Sequence, residues 1–181
     1  MNPSFVYIYD ECLTDRRFDR ELQQVENELA RRGIEGMTTR TSALNDAKQV
    51  MRDVAKRGYK NLILVGSDQL LRSVVPLLPD IQATIGFLPM GPSLIGGLLG
   101  IPSGAKGVDV IAARLVECLD MGLVNGQPFL LDVVAPQTIA GIEVDKSYQL
   151  RPSTRGAIAI RNLAAAGQDG ALVNPKDGQL E

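Results

Sequence analysis

Leu62-Ile63-Leu64-Val65-Gly66-Ser67-Asp68-Gln69-Leu70-Leu71-Arg72-Ser73-Val74-Val75 decides the fold of this 181-residue chain. Its first four residues are apolar on both faces, as in a strand buried inside a parallel sheet. Gly66-Ser67-Asp68 punctuates the run, and Leu70 to Leu78 then reads as a helix. The turn lies at the carboxyl end of its strand, where open α/β sheets bind ligands. A helix start offers unpaired N–H groups and a partial positive charge, which suit phosphate. Gly66 and Ser67 are small enough for close backbone approach, and the Asp68 carboxylate suits a magnesium ion. Asp68 is equally suited to capping its own helix over Gln69–Leu78. On local features these two readings stand level.

Working outward, the same alternation recurs. Phe5 to Tyr9 is another two-faced apolar strand, and Phe18, Leu22, Val25 and Leu29 recur at helical spacing up to a stop at Gly33. Met37 to Thr41 is a short strand. Ala47, Val50, Met51 and Val54 mark a second amphipathic helix closed by Gly58, and Thr84 to Leu88 a fourth strand. Strands alternating with helices predict an α/β fold, a parallel sheet flanked by helices. Near residue 119 the pattern changes. Asn125-Gly126 suits a tight hairpin turn between Met121–Val124 and Phe129–Leu131, and Ile142–Leu150 and Gly156–Arg161 are strand-like without helices between them. The expected division is an α/β nucleotide-binding-like domain over 1–118 and a small, abbreviated antiparallel β-sandwich-like region over 119–181. Pro102-Ser103-Gly104 and Pro136-Gln137-Thr138 are the expected joints.

Composition narrows the chemistry. The chain has no histidine, which removes Ser-His-Asp and Cys-His catalysis and histidine metal sites. Its two cysteines, Cys12 and Cys118, stand far apart and in no ligand spacing, so a reduced, cytoplasmic setting is expected. The net charge of −2 points to no nucleic acid. Met1-Asn2-Pro3-Ser4 opens no signal peptide, and no run reaches the ~20 apolar residues of a transmembrane segment. Any lipid substrate would be met from the water side, at a membrane surface.

Two further segments carry candidate residues. Pro89-Met90-Gly91-Pro92-Ser93 ends the fourth strand, so Gly91 and Ser93 are placed to share the crevice; alone, the segment reads better as a glycine-rich turn into an apolar helix. Asp177, in Asp177-Gly178-Gln179-Leu180-Glu181, would serve as a general base if the fold returned it to the crevice, although Asp-Gly is also an ordinary turn.

Taken in order, these segments resemble the diacylglycerol kinase catalytic family, which includes bacterial lipid kinases and sphingosine kinases and is distantly similar to NAD kinases. Ile63 to Val75 lies without a gap on that family's Gly-Gly-Asp-Gly-Thr loop and the helix after it. Pro89-Met90-Gly91 and Leu99-Gly100-Ile101-Pro102 match the two ends of its second loop and helix. The hairpin Asp120–Phe129 is similar to its first step into a β-sandwich. Ile158-Ala159-Ile160-Arg161-Asn162 and Asn174–Glu181 resemble its late strand and Asp-Gly-x-Leu-Asp closure.

The resemblance implies ATP and Mg2+ as cofactors, with Gly66, Ser67 and Asp68 on phosphate and metal, Gly91 and Ser93 on nucleotide, and Asp177 as base. It implies ATP-dependent phosphorylation of a lipid hydroxyl. The departures imply less. Gln69 and Leu70 replace a Gly and a Thr; Pro92, Leu94 and Ile95 stand where the second loop is polar; and the first strand runs into Asp10-Glu11-Cys12-Leu13 instead of Asn-Pro-x-Ser-Gly. One missing preorganised donor costs roughly 10²–10³ in rate. The alternative is therefore a catalytically inactive relative, a nucleotide-binding or interaction module, whose shortened sandwich exposes apolar edges and favours a homodimer. An NAD-kinase-like enzyme fits the hairpin and closing motif less well.

Overall fold

Four parallel strands, β1 (Val6–Tyr9), β2 (Met37–Arg40), β3 (Asn61–Gly66) and β4 (Thr84–Pro89), lie in the order β2-β1-β3-β4 in a computed structural model that describes residues 5–139, 141–144 and 147–163. Val6–Tyr9 pairs with Met37–Arg40 on one side and with Leu62–Val65 on the other, and Asn61–Gly66 pairs with Thr84–Pro89. The order reverses between β1 and β3, so the crevice beyond their carboxyl ends is a topological switch point.

Helices cover both faces because both faces of β1 and β3 are apolar. Phe5, Tyr7, Tyr9, Ile63 and Val65 pack with Val25 and Leu29 of α1 (Asp19–Arg31) and with Val108 and Ile111 of α5 (Gly107–Ala113). The alternate residues Val6, Ile8, Leu62 and Leu64 face the opposite way and are fully buried. There α2 (Ala47–Lys56) brings Val50, Met51 and Val54 against β1 and against α3 (Asp68–Val74). Each such side chain contributes about 1.5–3 kcal/mol on burial, so central strands this apolar stabilise the layered arrangement.

Local chemistry sets the helix ends. Asp46 caps α2 by accepting the Gln49 N–H at 2.8 Å. After α1, Gly33 adopts φ +64° and the Ile34 N–H returns to the Leu29 carbonyl. The helix expected over Leu70–Leu78 is α only to Val74, and a 3₁₀ turn continues over Val75–Asp80. Pro76 has no N–H to donate four residues back, which ends the regular ladder there. Pro102-Ser103-Gly104 is no joint: it leads into a 3₁₀ turn, Gly104–Lys106, and then α5, a helix that sequence reasoning missed.

Contacts cluster into two compact units, Met1–Cys118 and Leu119–Glu181. Within the second, β5 (Gly122–Val124) and β6 (Gln127–Phe129) form the expected hairpin, with Asn125 at φ 52° and Gly126 at φ 74°. Pro136-Gln137-Thr138, the second expected joint, instead ends β7 (Asp132–Thr138), which pairs antiparallel with the last described strand (Gly156–Arg161). The pairing slips between Gly156/Thr138 and Ile158/Ala135, a bulge that accommodates Gln137 at φ 50°. Ile142–Leu150 folds back on itself as β8 (Ile142–Val144) and β9 (Tyr148–Leu150), making Gly156–Arg161 β10. Asn162, fully buried, ties this unit together by donating its amide to the carbonyls of Asp120 at 2.8 Å and Leu130 at 2.9 Å.

Candidate functional site

At the switch point the ends of β1 and β3 stand side by side, since Tyr9 is in register with Val65. The next residue of each strand therefore meets its neighbour: Asp10 faces Gly66 and Ser67. Gly66 adopts φ +154°, and a β-carbon there would collide with the Asp10 side chain. Glycine is required because the Asp10 β-carbon stands within clashing distance of where that atom would be. The carboxylate accepts the Ser67 N–H at 3.1 Å, the Ser67 hydroxyl, and the Cys12 N–H at 3.3 Å.

Burial alone would raise the Asp10 carboxyl, but the hydrogen bonds from Ser67 and Cys12 outweigh it and hold the group below its ordinary value. Beside it, burial and then the Asp10 hydrogen bond and charge push the Cys12 thiol up to about 11. Asp10 was missed as a site residue. Its signal lay in its place, directly after the last apolar residue of a strand that pairs in parallel with β3, which sets it beside Gly66.

Ser67 caps α3, its hydroxyl accepting the Leu70 N–H at 3.4 Å. Asp68, the first residue of that helix, turns its carboxylate elsewhere. It accepts the Ser93 hydroxyl, the Leu94 N–H at 2.9 Å and the Ile95 N–H at 3.2 Å, at the start of α4 (Leu94–Leu98). Neither reading offered for Asp68 in the sequence describes this arrangement: it braces one loop against the next. The hydroxyl of Ser93 is occupied twice, since it also accepts the Gly96 N–H at 2.8 Å.

Gly91 begins the second loop at φ +74°, and its N–H donates to Glu21 of α1 at 3.3 Å. Its carbonyl accepts the Ser103 hydroxyl at 2.5 Å, and the Met90 N–H returns to the Gly66 carbonyl at 2.9 Å. Thus Gly66, Ser67, Asp68, Gly91 and Ser93 come from two loops that the structure does bring together. Asp177 lies outside the described residues. Leu70 and Ile95, the apolar substitutions, are buried in the core beneath the loops.

A phosphoanion at this crevice would need backbone N–H groups aimed at it. Those of Ser67, Leu94, Ile95 and Gly91 already donate to Asp10, Asp68 and Glu21. A magnesium ion would need Asp68 oxygens that now accept three donors. Among the described residues no group of three or more acid or cysteine side chains is arranged to hold a metal. In this arrangement the N–H groups and Asp68 oxygens that a triphosphate with its metal would use are engaged by the chain's own groups.

The comparisons with known proteins agree with this frame. The model of the diacylglycerol kinase catalytic domain matches residues 5–122, from β1 to the first strand of the second unit. The chain belongs to the diacylglycerol kinase catalytic domain family. Among solved structures, this diacylglycerol-kinase-family chain superposes on a diacylglycerol kinase from Bacillus anthracis str. Sterne with a TM-score of 0.81 at 19% identity, over 98% of this chain and 71% of that one. Two structures of a candidate diacylglycerol kinase from the same organism each give 0.76, at 18% and 16% identity, covering 98% of this chain and 73% and 72% of theirs. These likenesses are of fold. No curated protein sequence gives a significant match. Among the described residues no helix is long and apolar enough to cross a membrane.

Proposed function

We propose that the chain is a non-catalytic member of the diacylglycerol kinase family, an interaction module that keeps the sheet and both loops without phosphoryl transfer. One observation carries this reading: Asp10 and Asp68 take the N–H groups of Ser67, Leu94 and Ile95 for the chain itself. Phosphoryl transfer depends on positioning and on neutralising phosphate charge, and two carboxylates at the loop bases do the reverse. The second unit exposes Leu123, Val134, Ile139 and Leu150, apolar surface that supports a homodimer. Free Cys12 and Cys118 support a cytoplasmic setting.

The family match favours a second reading, ATP-dependent phosphorylation of a lipid hydroxyl. It requires Asp68 to leave Ser93, Leu94 and Ile95 so that ATP with Mg2+ reaches the loops, and Asp177 to stand as base. Thermal melting with and without millimolar Mg-ATP separates the two, since a ligand that binds only the native state raises Tm. The non-catalytic reading expects no shift. A shift that is lost in Asp68→Asn, followed by lipid phosphorylation abolished in Asp177→Asn, would establish the kinase in its place.

A further inference from the structure

At the opposite, amino end of β3 and β4 lies a cleft of about 400 Å³, between the C-terminal turn of α2 and the 3₁₀ turn after α3. Its lining includes the apolar Ala55, Leu77 and Ile81, and carries Arg52, Lys56 and Lys60 against a single acid, Asp80. The ion pairs among this unit's described residues lie away from the cleft: Arg31 and Arg32 pair with Glu28, Arg32 also with Asp109, and Arg17 with Asp15. Among the described residues Arg52, Lys56 and Lys60 have no acidic partner.

Lys48, Arg52 and Lys56 also follow one another at intervals of four on α2, where like charges destabilise a helix. Solubility alone would be served by mixed signs. Three cations without an ion pair, gathered round a partly apolar cleft that holds one acid, suit a ligand that brings further negative charge and an apolar body together.

We propose that this cleft binds a phosphate monoester carrying an apolar group, through Arg52, Lys56 and Lys60, as a site separate from the two loops. The ester is either a soluble phosphate or the headgroup of an anionic lipid. Each cation donates charge-assisted hydrogen bonds to the phosphate, while Leu77 and Ala55 receive the apolar part. The site stands whether or not the loops at the other end bind nucleotide.

The test titrates the full chain with phenyl phosphate, following backbone amide shifts, and separately sediments it with phosphatidylcholine vesicles containing phosphatidic acid. Binding is expected to move the amides of Ala55, Tyr59, Lys60 and Ala83. The double variant K56Q/K60Q is expected to weaken binding about tenfold or more, and raised salt to weaken it too. Lys48→Gln, on the same helix but outside the cleft, leaves it within about twofold. A response to phenyl phosphate identifies a soluble ester, and a response to vesicles alone identifies the headgroup; either upholds the site if K56Q/K60Q weakens it about tenfold or more. Binding that K56Q/K60Q weakens by less than that, shifts confined to Ser67 and Gly91, or no binding of either probe overturns it.

Discussion

Replacing Asp68 tests the bridge between the two loops. In Asp68→Ala the Ser93 hydroxyl and the N–H groups of Leu94 and Ile95 lose their acceptor. Leu94 is 59% exposed, so its N–H recovers much of its hydrogen bonding from water. Ile95 is wholly buried as a residue, and its N–H recovers less. Losing a helix cap costs about 0.5–2 kcal/mol, and a buried donor left without a partner about 1–3 kcal/mol. Because Ser93 still caps α4 through Gly96, these do not add in full, and about 2 kcal/mol is expected. For a chain of this size that lowers Tm by roughly 4–8 °C. Asp68→Asn keeps one carbonyl acceptor and is expected to lose about half as much.

The assay is melting followed by circular dichroism, in EDTA and again with millimolar Mg2+. If Asp68 is a brace, both variants melt below the parent in EDTA, and Mg2+ leaves the parent unchanged. If Asp68 is instead reserved for a metal, its removal costs nothing in EDTA and Mg2+ raises only the parent. An Asp68→Ala protein melting within about 1 °C of the parent in EDTA would refute the bridge.

Three further predictions follow from neighbouring groups. Because the Asp10 carboxyl is held below its ordinary value in the fold, it contributes stability above the unfolded pKa of about 4 that is lost as pH falls through the lower folded value. Urea unfolding at pH 7 and pH 3 is expected to show Asp10→Asn less stable than the parent at pH 7, with the gap narrowing at pH 3; an equal gap at both pH values contradicts the assignment. With the Cys12 thiol pushed up to about 11, its thiolate fraction at pH 7.5 is roughly 10⁻³ or less, so iodoacetamide is expected to label exposed Cys118 and spare Cys12, as peptide mass mapping would show. Asn162→Ala removes donors to Asp120 and Leu130 and is expected to cost the second unit about 2 kcal/mol, seen as faster exchange of the Leu163 amide, which donates to the Leu131 carbonyl; unchanged exchange there argues against that role.

Much of the fold was legible in the sequence. Strands β1, β3 and β4 and helices α1 and α2 follow from apolar runs and spacings that act over a few residues, and Asn125-Gly126 announced its turn through the positive φ both positions adopt. Where local signals were weak the reading slipped. Helix α5 is short and opens on glycine, β7 hides behind Pro136, and β8 and β9 share one continuous strand-like stretch.

The sequence by itself determined that a buried strand would turn into a helix at Gly66-Ser67-Asp68, because burial preference and turn chemistry are properties of neighbouring residues. Only the tertiary structure decided what those residues touch. Asp10 reaches Ser67 across 57 positions, and Asp68 reaches Leu94 across 26. A carboxylate can accept an N–H group, bind a metal or face water, and its own neighbours in sequence do not choose among these. The choice came from parallel register, which set the end of β1 beside the end of β3 and brought the start of α4 within reach of α3.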